Sequence, residues 1–578
     1  MMRPLSLLVF VAAGSAAAAP AVWVVDDGEK IRRDALDTPF ERGQDNPIWA
    51  PGEPIRLFAL RDEVVAVQVV IEADATPLAA VRVELDGLSG PGGARLAGGA
   101  IDRFVAHFFD VVRASASPWG GSLGWYPGSG PDPAAYVGPV PDALIPIDLA
   151  PAWAPYPLAV PARSNGIVWI DLTVPADQPP GTYAGTIHVT ADGAPLASLP
   201  VELRIGAATL PAHPARTMLF YAPFNLGRRL GDGAQAAATR QLWQLYHRHR
   251  LTPMHSALNV NEARAVLPAL TGEAYTAAAG YTGPAAGVGD DVLSLGTYGG
   301  LGAPNAQKLQ TVEAIARALD EAGVAATTDV FVYAIDESCG HAWGATWRDL
   351  LRGSAEPAAA HVKVGWTCSE DAANQPVDVV MKIASTYSVP EAADLAARGK
   401  TVWIYNGVEP WSGALMTDDD AVAPRLNGWL QGRHDIDRWF YWHTNFWYDE
   451  NNGGRGAFDP FTQPETFHNQ HGEWAAGDGV LVYPGRQAGA FADHDLGFDG
   501  VIPSIRLKNW RRGVQDAGYL QLARVQDRAA ADAIADGLIG RALERGRGGQ
   551  PPGWSRRGAP YFAARAALFE MLGGDAPE

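Results

Sequence analysis

The sequence predicts a multidomain α and β protein: an N-terminal β-sandwich, then a (β/α)8 barrel of the TIM type with C-terminal helices. Three observations predict it. The chain has 578 residues, too many for one ordinary domain. Residues 21–206 carry short strand patterns broken by Gly/Pro turns, with almost no helical periodicity. Beyond residue 214 strand patterns alternate with helical ones, eight times over.

The N-terminal strands are read at 64–71, 167–174, 182–190 and 201–205, the middle two separated by Asp177-Gln178-Pro179-Pro180-Gly181, a strong turn signal. The stretch 115–161, rich in Pro, Gly and aromatics, reads as a long ordered loop reaching toward the next domain. Residues 209–214 hold two prolines and form the linker. The eight barrel strands are then 217–221, 252–258, 292–297, 328–335, 362–367, 377–383, 402–405 and 438–443. Between the third and fourth, 305–322 is a helix, with Asn305 as cap, Leu309, Val312, Ile315, Ala316 and Leu319 on one face, and Gly323 as stop. The segment 505–573 is largely helical and packs on the barrel. An open doubly wound sheet is the rival topology, but no Gly-rich phosphate loop follows any strand.

Composition bounds the function. Hydrophobic residues make up 47% and charged residues 19%, enough for a large core. The formal net charge is −19. Such a surface repels phosphate backbones and argues against nucleic-acid partners; it is otherwise a solubility feature. There are 19 Trp residues, which suit stacking on sugar rings but also fill cores. Arg3, the apolar run 5–13 and the small residues 14–19 read as a signal peptide. The expected division is 1–19 signal peptide, 20–208 sandwich and 215–578 barrel. The chain is expected to be exported, to the periplasm or the medium, with no membrane insertion after signal cleavage. Oligomeric state is not legible.

Two neighbouring carboxylates, Asp336-Glu337, follow the fourth strand, and a barrel carries its chemistry at the C-terminal ends of its strands. Like charges raise at least one pKa, which is what a general acid needs near neutral pH. Adjacent strand residues point to opposite faces, so both acids can face one pocket only if the strand has already ended. Ser338-Cys339-Gly340 permits that turn. Polar and aromatic residues cluster at the other strand ends: Asn259, Tyr298, Trp366, Tyr387, Asn406, Trp411, Trp442, Asn445 and Trp447. Together they suit stacking on sugar rings and hydrogen bonding to hydroxyls. No Gly-x-Ser-x-Gly elbow and no His-Glu-x-x-His motif occurs, and the two cysteines have no metal-site spacing. No cofactor or metal is expected. His247, His249, His468 and His471 read as surface histidines, and Asp418-Asp419-Asp420 as a solvated loop.

The chain resembles glycoside hydrolase family 123 and its broad uncharacterised relatives. The likeness is carried by Tyr333-Ala334-Ile335-Asp336-Glu337, by Tyr405-Asn406-Gly407 through Tyr441-Trp442-His443-Thr444-Asn445, and by Gly477-Asp478-Gly479-Val480-Leu481-Val482-Tyr483-Pro484-Gly485 with Pro503-Ser504-Ile505-Arg506-Leu507. Pro179-Pro180-Gly181-Thr182-Tyr183 fits the family's N-terminal domain. The resemblance implies a retaining, substrate-assisted hydrolase that removes β-linked N-acetylgalactosamine from glycans. The 2-acetamido oxygen would attack the anomeric carbon, with Glu337 as acid/base and Asp336 polarising the acetamido N–H, outside the two-carboxylate scheme. Tyr387 and Trp442 would wall the acetamido pocket. The chain departs from the relatives at Ser338, where they have Pro, and at Lys508, Arg512 and Gln515, where they tend to be acidic. Cys339 and Cys368 follow neighbouring barrel strands, and a disulfide beside the site is expected. Two other readings stay open: a hydrolase of an unacetylated sugar, and a non-catalytic glycan-binding protein that kept the fold.

Overall fold

The structure is a computed structural model that describes residues 20–116, 135–369, 374–450, 454–468, 470, 472–546 and 552–576. The signal-peptide reading of 1–19 lies outside the described residues.

The N-terminal part holds two sheets. One runs Ala21–Asp26, Glu63–Ala73, Ser164–Val174, Ile101–Val111, Gly138–Pro146, antiparallel throughout. The other runs Ile55–Arg61, Ala194–Thr209, Gly181–Ala191, Leu78–Glu84, Leu158–Val160, with two short strands appended. Period-two alternation makes the core between them. In Gly181–Ala191 the side chains of Tyr183, Ile187 and Val189 are buried while Thr182, Ala184 and His188 are exposed. They meet Trp23, Val69 and Trp169 of the first sheet in one apolar cluster. The expected loop over 115–161 is corrected: it contains the strands Gly138–Pro146 and Leu158–Val160. Pro139, Pro141 and Pro146 fit because that strand is the outer one of its sheet, where a missing N–H costs no ladder bond. Residues 117–134 of that stretch lie outside the described residues.

The second part is built on eight parallel strands: β1 Thr217–Leu219, β2 His255–Ala257, β3 Val292–Leu295, β4 Asp329–Tyr333, β5 Lys363–Thr367, β6 Val379–Ile383, β7 Thr401–Tyr405 and β8 Trp439–Tyr441. Their order is β1-β8-β7-β6-β5-β4-β3-β2. The two ends of that order meet: Leu219 N–H donates to Thr252 C=O at 3.0 Å and Met254 N–H to Leu219 C=O at 2.8 Å. One face of the strands gathers Met218, Met254, Val292, Phe331, Tyr333, Met381, Trp403, Tyr405 and Phe440 into a cluster of its own. The alternate residues face the helices. At the N-terminal ends the fully buried Arg438 donates to Asp291 and Asp329, both at 2.9 Å, and Arg216 joins them. Burial works to raise the Asp329 carboxyl, but Arg438 and Arg216 hold it down at about 2.

The C-terminal helices Ile505–Gln526, Arg528–Ile539 and Gly558–Met571 follow. They pack on the eight-stranded unit as expected, and also against the N-terminal sheets. Lys508 and Arg511 reach Asp171 at 2.5 and 2.8 Å, and Arg512 reaches Asp27 at 2.8 Å and Glu63 at 3.2 Å. Arg565 pairs with Glu63 and with Asp516. Burial would raise the Asp171 carboxyl, yet Arg511 and Lys508 hold it well below its ordinary value. The unusual Lys508 and Arg512 are therefore, with Arg511, cations that fasten the helix to the N-terminal sheets.

Two polar readings are corrected. His247 and His249 are buried: position 247 lies one helical turn from the buried Trp243 and its ring stacks on Tyr275 at 3.7 Å, while His249 caps the end of the same helix. Asp418, Asp419 and Asp420 are buried too, and Asp418 accepts from Ser115 N–H at 2.5 Å and Ser115 Oγ at 2.7 Å. Among the described residues no helix is long and apolar enough to cross a membrane.

Candidate active site

β4 ends at Tyr333, so Asp336 and Glu337 stand on the connection after it, clear of strand alternation. Glu337 takes φ = 43°, a left-handed turn that a non-glycine residue adopts at a cost of about 1 kcal/mol or more. The turn is clamped by Thr367 at the end of β5. Its hydroxyl accepts from Glu337 N–H at 2.7 Å and donates to Asp336 Oδ1 at 2.7 Å. Tyr333 OH lies 3.0 Å from the same Asp336 oxygen. Tyr405, at the end of β7, donates to Glu337 Oε1 at 3.3 Å. The two carboxyls thus have separate partners: a threonine and a tyrosine for Asp336, another tyrosine for Glu337.

The Glu337 carboxyl is pushed up from its ordinary value, first by the desolvating walls of the site and then by the Asp336 charge; Tyr405 works against them. Tyr298, Tyr333 and Tyr405 are all pushed up by burial and by the nearby acids, so they stay phenols and serve as donors. The arrangement offers one acid with a raised pKa beside a second acid held in place by Thr367 and Tyr333, in an aromatic-walled setting. That can deliver a proton to a leaving oxygen.

The remaining wall comes from Tyr298 and Trp442. Tyr298 has φ = 54°, which turns its ring to 5.3 Å from that of Tyr333. Its hydroxyl donates to Trp442 C=O at 2.5 Å. Trp442 is half-buried, and His443 beside it is buried and held down at about 3, hence neutral. A disulfide joins Cys339 to Cys368, with Cα atoms 5.3 Å apart, directly after the acid pair and after Thr367. Replacing both cysteines by Ser is expected to cost about 3–4 kcal/mol of stability from the entropy of a 29-residue loop, read as a lowered midpoint in denaturant.

Of the residues expected at the site, Asp336, Glu337, Tyr298 and Trp442 come together. The others lie elsewhere. Trp366 is fully buried on the helix-facing side of β5, packed over Gly344. Trp447 is fully buried, its indole donating to Val482 C=O at 3.0 Å. Asn445 is buried and brackets Ala222, accepting from its N–H and donating to its C=O. Asn406 is buried at φ = 53° and accepts from Trp442 N–H at 3.0 Å, so it shapes the wall from behind. Tyr387 and Trp411 lie in the outer core. Asn259 caps the helix Val260–Leu270, accepting from Asn261 and Glu262 N–H. Tyr333, Thr367 and Tyr405 are the contacts that sequence reasoning missed. Thr367→Val is expected to lower kcat/KM about tenfold through loss of the clamp, measured by steady-state kinetics against wild type.

The sequence model described as Glycoside hydrolase 123, catalytic domain, matches residues 347–523. That segment begins after the acid pair and includes Thr367, Tyr405 and Trp442. A family 123 glycoside hydrolase from Clostridium perfringens, described for glycolipid glycan hydrolysis, superposes with a TM-score of 0.64 at 13% identity, over 96% of this chain and 98% of that one. A family 39 glycoside hydrolase from Bacteroides cellulosilyticus WH2 gives a TM-score of 0.28 at 10% identity, over 73% and 78%. None of the curated proteins matches the sequence.

Proposed function

We propose that the chain, whose residues 347–523 match the catalytic-domain model of glycoside hydrolase family 123, is an exported, retaining hydrolase of that family that removes β-linked N-acetylgalactosamine, or a related N-acetylhexosamine, from glycans by substrate assistance. The observation that carries the reading is the division of labour within the acid pair. Glu337 is the raised acid and gives its proton to the glycosidic oxygen; Asp336, gripped by Thr367 and Tyr333, is held in place to accept from the acetamido N–H. The acetamido oxygen then closes on the anomeric carbon to an oxazolinium, and Glu337 takes a proton from the water that opens it. No second carboxylate nucleophile is needed. Trp442 and Tyr298 supply the apolar wall for the acetamido methyl and the sugar face.

We read the eight-stranded sheet as a closed (β/α)8 barrel and the two N-terminal sheets as a sandwich, with the division near residues 208–215. The joined ends of the strand order and the shared apolar cluster support this reading. Export rests on residues 1–19 and on the disulfide, which an oxidising compartment favours.

The test is a panel of aryl β-glycosides. Cleavage of the N-acetylgalactosaminide, with inhibition by a thiazoline mimic of the oxazolinium, is expected. Turnover of plain hexosides or pentosides alone points to an unacetylated sugar and overturns the reading. Binding without turnover across the panel overturns it in favour of a glycan-binding role.

A further inference from the structure

Trp442 is fastened at three points by three different parts of the chain. Its backbone N–H donates to Asn406 at 3.0 Å, its C=O accepts from Tyr298 OH at 2.5 Å, and its indole N–H donates to Asp478 Oδ1 at 2.9 Å. The first two fix the backbone. Only the third fixes the direction of the ring. The same Asp478 oxygen accepts from Tyr441 OH at 2.9 Å, so two neutral donors converge on one buried carboxylate.

The ring also has a prepared seat. Gly479 takes φ = 72°, and a Cβ there would stand 2.9 Å from the indole and 2.8 Å from Phe446. Phe446 and Phe467 lie against the indole with centroids at 5.1 and 5.8 Å. The loop under it is rigid as well. The buried Arg506 donates to Gly477 C=O at 2.7 Å and to Val480 C=O at 2.5 Å, one on each side of Asp478. Burying a carboxylate with no cation bonded to that oxygen is costly. Burial pushes Asp478 up to about 6, with Trp442 and Tyr441 opposing. A side chain whose only task was to fill space would not need that charge.

We infer that Asp478 is a positioning residue: it aims the indole of Trp442 as the platform on which the sugar ring and its acetamido group rest. The inference depends on the proposed function for the identity of the sugar, but not for the geometry. Asp478 touches no substrate; it acts through Trp442.

Two variants and two readouts test it. Asp478→Ala is expected to raise KM about tenfold, with kcat changed less than about threefold, because the platform binds ground state and transition state alike. Asp478→Asn, whose amide oxygen still accepts from the indole, is expected to restore most of that loss. Tyr441→Phe removes the other donor and is expected to lower the unfolding midpoint while leaving KM within about twofold. The second readout is a crystal structure of unliganded Asp478→Ala, in which the Trp442 ring should leave its rotamer. If Asp478→Ala does not fold, a benzothienyl alanine at position 442 keeps the bicyclic ring, removes only the N–H, and should raise KM similarly. An unmoved Trp442 ring, or an unchanged KM with either substitution, overturns the inference. Failure of the wild type to cleave an N-acetylhexosaminide overturns the proposed function instead, and the crystallographic readout still decides this one.

Discussion

Glu337→Gln is expected to lower kcat/KM on an alkyl or glycan substrate roughly 1,000-fold. The amide keeps the shape and can still accept from Tyr405, so the fold and the binding of sugar should be nearly unaffected. What is lost is the proton. The loss should therefore depend on the leaving group: an aryl glycoside whose phenol is strongly acidic leaves without protonation and should fall less than about tenfold. The pH profile gives a second signature. Glu337 must be protonated to act in the first step, so activity falls as pH rises through its pKa. Because the site walls and Asp336 push that pKa up, the falling limb lies higher than for an ordinary glutamic acid. In Glu337→Gln the limb should vanish. Equal losses on good and poor leaving groups, with the alkaline limb kept, would move the proton donor elsewhere.

Asp142→Ala is expected to destabilise the protein by about 3–5 kcal/mol, because it leaves Arg506 buried without its counter-charge. Arg506 meets Asp142 through Nε at 3.0 Å and a second nitrogen at 2.7 Å, and both side chains are almost wholly excluded from solvent. Tyr483 donates to the same carboxylate at 2.5 Å. Asp142 lies on an N-terminal strand, Arg506 at the start of the long C-terminal helix. Chemical denaturation should show the loss in the midpoint with little change in slope. A loss under about 1 kcal/mol would mean that water or a relaxed loop replaces the pair.

Much of this was legible in the sequence, and the exceptions share a cause. The eight strands of the second part lie where the alternation of patterns puts them, because a parallel strand covered on both faces is a short β-branched and aromatic run. The acid pair was legible from its place after such a run. A strand end taken alone does not show the phase of the strand, so Trp366 outranks Thr367 and Asn406 outranks Tyr405. A large aromatic at a strand end faces the helices as readily as the site. The phase was available: Asp329, Lys363 and Arg438 are charges at strand starts, all drawn into one ionic layer. Counting by two from each leads to Tyr333, Thr367 and Trp442. The strand Gly138–Pro146 was missed for a different reason, since its prolines imitate a loop. The burial of His247 and of the three aspartates could not be read locally, because their partners lie far away in the chain: Asp290, Ser115, Lys30 and Arg556.

The cations that close against the N-terminal sheets have a consequence for how the chain is made. Glu63 lies on an N-terminal strand, yet its partners Arg512 and Arg565 follow it by 449 and 502 residues. An emerging N-terminal segment holds Asp27, Glu63 and Asp171 with nothing to neutralise them. It can form its ladders alone, but it cannot bury Asp27 and Asp171 with their counter-charges until the helix Ile505–Gln526 is present, and Glu63 gains its second cation only with Arg565. Completion of the first part of the chain thus waits on a helix far along the sequence, and a chain cut short before residue 505 should be open to proteases.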